Sequence, residues 1–240
     1  MLAGDDPRVV AFTEAIQTGD LERLDVLLDR HPELAVERFG DARMSRTCLH
    51  VATDWPGHWP RVAETIERLV RTGADVHARF DGPHHETPLH WAASSDDVAA
   101  IDALIDAGAD LEADGAVLTG GSALDDAVVF AQWHAARRLS ELGAVTDFWH
   151  AAALGLVERV RHDLAMGAVP PEEVTGACWH AARAGHLRVV EVLVDAGADL
   201  AEVLWEDHTV LDAAVAAGHD DVAAVLRARG AASATDPGVE

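Results

Sequence analysis

The chain has 240 residues, a mass of 25.5 kDa and a formal net charge of -24, which comes from 42 Asp and Glu against 18 Arg and no Lys. A chain this acidic, with no local cluster of cations, repels phosphate backbones and anionic lipid headgroups, so we expect it to bind neither nucleic acid nor membranes. A hydrophobic content of 49% and a charged content of 25% are those of a packed protein and exclude wholesale disorder.

The first residues and the two cysteines indicate a compartment. Met1–Asp6 lacks a basic start and an apolar core, so we expect no signal peptide, and no apolar run approaches the roughly 20 residues that span a bilayer. Cys48 and Cys178 lie far apart in no metal-ligand spacing, which is typical of buried free thiols in a reducing cytoplasm. Arg without Lys in an Ala-rich chain is typical of a GC-rich bacterial genome. We therefore expect a cytoplasmic, bacterial protein without metal or cofactor.

An internal repeat organises the chain. In five copies a turn residue opens a helix and a Gly ends that helix 12 residues later, at Asp96–Gly108, Ala131–Gly143, Gly155–Gly167, Gly185–Gly197 and Gly218–Gly230. The interval from Gly19 to His31 fits as a degenerate first copy. Within one copy, Val189, Val190, Leu193 and Val194 form an apolar stripe along the helix. A single copy cannot bury this stripe by itself, so the copies must stack.

A second motif precedes the turn in several copies. It reads Thr-Cys-Leu-His-Val-Ala at 47–52 and Thr-Pro-Leu-His-Trp-Ala at 87–92, with weaker versions at 122–127 and 209–214. Together the two motifs resemble the ankyrin repeat, whose signature is Thr-Pro-Leu-His-x-Ala and whose period is about 33 residues. The resemblance covers about residues 7–232. It implies an all-α ankyrin-repeat solenoid of about seven helix-turn-helix repeats with β-hairpin-like fingers.

We expect a single ankyrin-repeat domain over residues 1–240. Its first repeat lacks the signature motif, starts a helix at Asp6-Pro7 and is interpreted as a cap. The predicted repeats span about 7–40, 41–80, 81–115, 116–145, 146–170, 171–202 and 203–232, followed by a frayed tail at 233–240.

Two repeats depart from the pattern. Repeat 2 carries an insertion at 54–60 with two prolines and two tryptophans, Trp55 and Trp59, which either form a contact surface over the groove or pack on neighbouring repeats. Between repeats 4 and 5, the span from Gly143 to Phe148 is too short for a finger. This gap either opens the groove or is a neutral deletion.

Equivalent positions of stacked repeats line up roughly 10 Å apart, so they predict rows of side chains across the concave face. The residue five before each turn gives one row: Trp91, Asp126, His150, His180 and Ala213. The preceding residue gives a second row: His50, His90, Asp125, Trp149, Trp179 and Asp212. The resemblance implies that His50 and His90 bond to the turn, and in this alignment Trp149 and Trp179 replace the signature histidine.

Asp126, His150 and His180 carry the most chemistry in these rows. A carboxylate and two imidazoles suit general acid–base catalysis or a two-His-one-carboxylate metal site. Neighbours about 10 Å apart share a metal only through long side chains, and no Ser or Cys nucleophile stands beside them. A further pair, His84 and His85, lies on a finger. These histidines either bind metal adventitiously or belong to a solvated loop tip.

The resemblance implies a protein-binding recognition scaffold that uses the concave groove and the finger loops. Its acidity favours a basic protein or peptide as partner, anchored by exposed aromatic side chains, so Trp55, Trp91 and Phe130 should be accessible to solvent. The predicted groove residues are Asp54, Trp55, Trp59, Trp91, Asp126, Phe130, Trp149, His150, Trp179, His180 and Arg183.

The alternative is a small-molecule-binding protein or acid–base enzyme around Trp91, Asp126, His150 and His180, with Asp126, His150 and His180 as its catalytic residues. It requires a closed pocket of about 300 Å³ or more at the finger gap and shifted histidine titration.

Overall fold

The structure is a computed structural model that describes residues 1–235, so the end of the expected tail, 236–240, lies outside the described residues. The chain divides into two compact units, Met1–Ala144 and Val145–Glu240, here called the N-terminal and C-terminal units. The border falls in the short junction after Gly143. A single domain over 1–240 therefore stays a prediction, and each unit is described by itself.

The N-terminal unit is built from helix-turn-helix repeats in which a short inner helix precedes a longer outer helix. The inner helices α4, α6 and α8 pack side by side, and so do the outer helices α5, α7 and α9. The helices are α1 Pro7–Thr18, α2 Leu21–Arg30, α3 Glu33–Val36, α4 Cys48–Thr53, α5 Val62–Arg71, α6 Pro88–Ser94, α7 Val98–Asp106, α8 Ala123–Val129 and α9 Trp133–Glu141.

The start of α1 is determined by its capping residues. The Asp6 carboxylate accepts a hydrogen bond from the Arg8 backbone N–H, and Pro7 occupies the first helical position, where no N–H is needed. Gly19 ends the helix in the left-handed region with a φ of 64°. The predicted helix start at Asp6-Pro7 is confirmed.

The finger loops begin with a small sheet. Strand β1 (Leu2–Ala3) runs parallel to β2 (Phe39–Gly40), which pairs antiparallel with β3 (Ser45–Arg46). Ser45 also bridges to Asp81, and the Arg38 guanidinium donates hydrogen bonds to Ser45 Oγ at 2.7 Å and to the Arg79 carbonyl at 2.9 Å. These bonds connect the first finger to the second. The antiparallel β2–β3 pair confirms the predicted hairpin-like shape of the first finger.

The C-terminal unit repeats the same plan. Val189, Val190 and Leu193 of α13 are fully buried, which confirms most of the predicted apolar stripe. The inner helix α12 has 13 residues and is longer than its counterparts because it starts early, at Pro171. The helices are α10 Phe148–Ala153, α11 Val157–Ala165, α12 Pro171–Arg183, α13 Leu187–Asp195, α14 Val210–Ala216 and α15 Asp220–Ala228, with a 3-10 turn at Trp205–Asp207.

Candidate functional site

A cleft of about 710 Å³ opens in the N-terminal unit, between α1, the β2–β3 hairpin and the inner helices α4 and α6. Its lining is mostly apolar. It consists of Gly4, Val9, Val10, Thr13, Glu14, Gln17, Thr18, Phe39, Gly40, Met44, Ser45, Arg46, Val51, Phe80 and Trp91.

One wall of the cleft is the exposed face of α1. Val10, Thr13 and Gln17 follow one another at helical spacing on this face. Phe12 and Ile16 on the adjoining face are fully buried and anchor the helix in the core. The cleft wall therefore belongs to a rigid element of the fold.

The floor of the cleft is aromatic and uncharged. The ring centroid of Trp91 lies 4.9 Å from that of His50 and 5.4 Å from that of Phe80. Burial lowers the pKa of His50 to about 3, and the nearby charges of Arg38 and Arg46 lower it further. His50 is therefore a neutral ring at physiological pH, and the floor offers aromatic contact surface.

Carboxylates surround this apolar surface. Glu14 lines the cleft and pairs with Arg23 at 2.8 Å, while Arg46, the cation in the lining, is paired with Asp54. A smaller adjoining depression shares Gly4, Gly40 and Met44 with the cleft and adds Asp5 and Asp41. The local charge is therefore negative, in keeping with the whole chain.

Of the groove residues predicted in the N-terminal unit, Trp91 lines the cleft and Asp54, Trp55, Trp59, Asp126 and Phe130 do not. Trp55 is 79% exposed on the insertion, and Phe130 is also exposed, whereas Trp91 and Trp59 are partly buried. The insertion is held in place because the His58 N–H donates to Asp97 Oδ2 at 2.6 Å.

Asp126 is buried beneath a finger, with 1% of its surface exposed. Its Oδ1 accepts a hydrogen bond from the Val117 N–H at 3.0 Å, whereas its buried Oδ2 has no partner within residues 1–235. Burial raises the pKa of this carboxyl to about 7, and the charges of Glu86 and Asp125 add to the effect. Asp126 is therefore an interior side chain that faces the finger.

The groove residues predicted in the C-terminal unit do come together, around a tryptophan that the sequence analysis missed. The His180 ring lies between two indoles, with centroids 4.9 Å from Trp149 and 4.9 Å from Trp205. Trp179 contacts Trp205 at 5.2 Å, and the Arg183 guanidinium carbon lies 5.3 Å from the centre of the Trp179 ring. We call these five residues the aromatic cluster.

His150 has a structural role that the sequence alignment missed. It is the third residue of α10, and its Nδ1 accepts a hydrogen bond from the Asp147 N–H at 3.1 Å. His50 and His90 make the equivalent bonds to the N–H groups of Thr47 and Thr87. His150 is thus the signature histidine of its repeat, and the prediction that Trp149 replaces it was wrong.

One histidine has the shifted titration that the acid–base alternative requires, but the shift is in the direction that makes the ring a poor base near pH 7. Burial lowers the pKa of His180 to about 3, helped by Arg183 and His150, so the ring is neutral at pH 7. Cys48 and Cys178 are buried free thiols whose pKa values burial raises to about 12. Within residues 1–235, no group of three His, Cys, Asp or Glu side chains is arranged to hold a metal ion.

Two parts of these sites were not predicted. The sequence analysis treated the first repeat only as a cap, although Val10 beside the core residue Val9 indicates a second apolar face on α1. Trp205 was also missed, although it ends a short apolar run, Val203-Leu204-Trp205, in a finger loop and is followed directly by two acidic residues. Each of these local patterns is visible in the sequence, but neither shows which distant residues complete the cleft or the aromatic cluster.

Comparison with known proteins identifies the repeat. Segments 45–80, 84–113 and 177–203 match family models described as ankyrin repeats. A crystal structure of the human ASB11 ankyrin repeat domain superposes with a TM-score of 0.56 at 22% identity, and the match covers 93% of this chain and 97% of that one. The predicted all-α fold class is confirmed.

The sequence is also similar to the E3 ubiquitin-protein ligase XBAT32 of Arabidopsis thaliana. The two are 28% identical over 214 residues, which is 84% of this chain and 39% of the ligase. This chain thus spans well under half the length of that relative. Within residues 1–235, no helix has the length and apolarity needed to cross a membrane.

Proposed function

Because this chain is an ankyrin-repeat protein, we propose that it is a recognition scaffold that binds a segment of a partner protein in the cleft of its N-terminal unit. Ankyrin repeats are general protein–protein interaction scaffolds, and the partner is decided by the side chains of the individual protein. The observation that carries the proposal is the cleft of about 710 Å³ with its apolar wall and aromatic floor.

The cleft contains anchors for apolar side chains. Val10 and Met44 are 53% and 52% exposed and lie in the same cleft as the Trp91–Phe80 pair. Grouped apolar side chains that remain exposed on a folded protein are typical of interaction surfaces. Because Val10 lies on α1 and Met44 beside the hairpin, two rigid elements would contact the partner at once.

The charge around the cleft favours a cationic partner. Asp5, Glu14 and Asp41 lie at the cleft and its adjoining depression, the lining cation Arg46 is paired with Asp54, and the chain as a whole has a charge of -24. Opposite charge on the partner steers its approach and rejects acidic competitors. The segment that fits this surface carries apolar residues flanked by Arg or Lys.

The acid–base alternative has weaker support. His180 is neutral at physiological pH, His150 caps a helix, and Asp126 is buried under a finger. We therefore propose a recognition scaffold in preference to an acid–base enzyme.

The buried thiols Cys48 and Cys178 support the proposal of a reducing, cytoplasmic compartment, and the absence of Lys from the sequence supports a bacterial source.

The test is a selection of displayed random peptides on the wild-type protein, followed by affinity measurements on a Val10→Gln variant. This substitution removes an apolar anchor without adding charge, and Gln is a good helix former. We expect the selected peptides to combine apolar residues with Arg or Lys. We expect Val10→Gln to weaken their binding by about tenfold, as the loss of a central contact does.

The matched control is Val26→Gln on α2, where the valine is 48% exposed and lies outside the cleft. It should leave the affinity within about twofold of the wild-type value. Peptides that bind Val10→Gln as tightly as the wild type, or that are mainly acidic, would show that the cleft is not the binding surface.

A further inference from the structure

The aromatic cluster of the C-terminal unit has one face exposed. Trp149, Trp179 and His180 are largely covered, but Trp205 is 50% exposed although it packs against two other rings. A large indole face that is fixed by its neighbours and still open to solvent is pre-organised for contact, because its rotamer entropy is already lost. This exposed surface is not needed for the core of the unit.

The cluster already contains one example of the contact that such a face makes. The Arg183 guanidinium lies over Trp179 at 5.3 Å from the ring centre, and one of its terminal nitrogens is 3.5 Å from Glu206 Oε1. A guanidinium stacked on an indole and paired with a carboxylate is a favourable arrangement for arginine, since its charge is planar and weakly hydrated.

The loop that carries Trp205 is strained and acidic. Glu206 and Asp207 both adopt left-handed backbone conformations, with φ values of 60° and 57°, which costs roughly 1 kcal/mol or more for each non-glycine residue. Both carboxylates are exposed beside Trp205. Glu206 and Asp207 follow Trp205 directly in the chain, and the Glu206 carboxylate already lies 3.5 Å from the Arg183 guanidinium, so this loop pairs with one arginine within the protein itself.

We propose that the exposed face of Trp205, together with Glu206 and Asp207, binds the guanidinium group of an arginine side chain on a partner protein. The arginine stacks on the indole as Arg183 stacks on Trp179, and the flanking carboxylates pair with its N–H groups. Charge complementarity supports this occupant, since the loop is acidic and the whole chain carries -24. The site is separate from the cleft of the N-terminal unit and goes beyond the proposed function.

The experiment compares three fluorescent peptides of one flexible Gly-Ser sequence that carry Arg, Lys or citrulline at the same positions. Citrulline keeps the planar shape of arginine without its charge. At low ionic strength we expect the Arg peptide to bind the full-length protein about tenfold more tightly than the citrulline peptide, and more tightly than the Lys peptide. Equal affinity for the Arg and citrulline peptides would overturn the inference.

Three variants assign the binding to this site. Trp205→Ala should lower the affinity for the Arg peptide about tenfold, and Glu206→Gln should lower it by a smaller factor. If the alanine variant does not fold, Trp205→Phe replaces it in the experiment. Because phenylalanine keeps an aromatic ring, we expect this variant to retain part of the affinity for the Arg peptide. The control is Leu118→Ala, which removes a 71% exposed apolar side chain from a finger of the N-terminal unit and should leave the affinity within about twofold.

The outcomes separate this inference from the proposed function. If Val10→Gln abolishes binding of the Arg peptide while Trp205→Ala leaves it unchanged, the peptide occupies the cleft and the inference about Trp205 is wrong. If Trp205→Ala abolishes binding and Val10→Gln does not, the inference stands, and the cleft proposal is then decided by the selected peptides alone.

Discussion

At the residue scale, one histidine caps the N-terminus of an inner helix by a side-chain hydrogen bond. In His50 the Nδ1 accepts from the Thr47 N–H at 3.3 Å, and the Nε2 is 3.1 Å from the Glu86 carbonyl, to which it donates. His90 repeats this arrangement with Thr87 and with the Gly121 carbonyl. Each ring thus caps its own helix and ties it to the next finger, so the signature histidine is structural because both ring nitrogens are used.

Asp126 gives a prediction at the residue scale. Its folded-state pKa of about 7 lies above the unfolded value of 3.8, so its favourable contribution is complete below pH 3.8 and is lost as the pH rises to about 7. Asp126→Asn abolishes this loss and keeps an oxygen to accept from the Val117 N–H. We expect the variant to gain stability over the wild type by roughly 1 kcal/mol per pH unit between pH 5 and 7, with no further gain above about pH 7.

The measurement is urea unfolding of both proteins at several pH values between about 5 and 8. Asp106→Asn, which removes an exposed carboxylate from α7, serves as the control for the loss of one negative charge. A stability difference between Asp126→Asn and the wild type that does not vary with pH would contradict the raised pKa.

At the scale of the elements, the turn between the two helices of a repeat demands a left-handed residue. Glycine supplies it at Gly155 and Gly185, with φ values of 73° and 77°, and a Cβ at either position would lie 2.6 Å from the ring of His186 or His219. Two of the equivalent turns in the N-terminal unit instead use Asp96 and Ala131, with φ values of 55° and 57°. At these two residues the left-handed backbone conformation is less favourable in free energy than it is for glycine, because each has a Cβ.

Ala131→Gly should therefore stabilise the protein, by about 0.5 to 1 kcal/mol after the added entropy of glycine in the unfolded chain is subtracted. Asp96→Gly is the informative comparison, because the Asp96 carboxylate accepts from the Ala135 N–H at 2.7 Å and contacts His134 Nδ1 at 2.7 Å. Loss of these bonds should offset the relief of strain. Chemical denaturation of both variants checks this, and a destabilised Ala131→Gly would refute it.

Helix length also explains why one site residue was misaligned. The inner helix α10 has 6 residues, whereas α6, α8 and α14 have 7. Counting back from the turn therefore assigns His150 one position too late, in a row with Trp91 and Asp126. The capping bond from the Asp147 N–H gives the correct alignment, because His50 and His90 make the same bond at the third residue of their helices.

At the scale of the whole molecule, the net charge of -24 leads to opposite effects of salt on stability and on binding. Like charges repel in the folded state, and added salt screens this repulsion. We expect the urea midpoint to rise as NaCl increases from about 0.05 M to about 0.5 M, while the affinity for a basic peptide falls. A midpoint that falls with salt would mean that the surface ion pairs outweigh the self-repulsion.

The sequence by itself determined the repeat, the helices, the hairpin-like fingers, the burial of both cysteines and the acidic character of the chain. These features depend on local signals: apolar periodicity along one helix, capping residues at its ends and glycines where a left-handed turn is needed. Val189, Val190 and Leu193 show this best, since a stripe on a single helix was enough to predict their burial.

Only the tertiary structure decided which side chains form a site. The cleft joins Val10 of α1 to Met44 of the hairpin and Trp91 of α6, and the aromatic cluster joins Trp149 to Trp205 through His180. These residues are tens of positions apart, and no local pattern specifies that they meet. Their contacts follow from how the repeats pack within each unit, and burial then decided that Asp126 is an interior carboxyl while Trp205 keeps an open face.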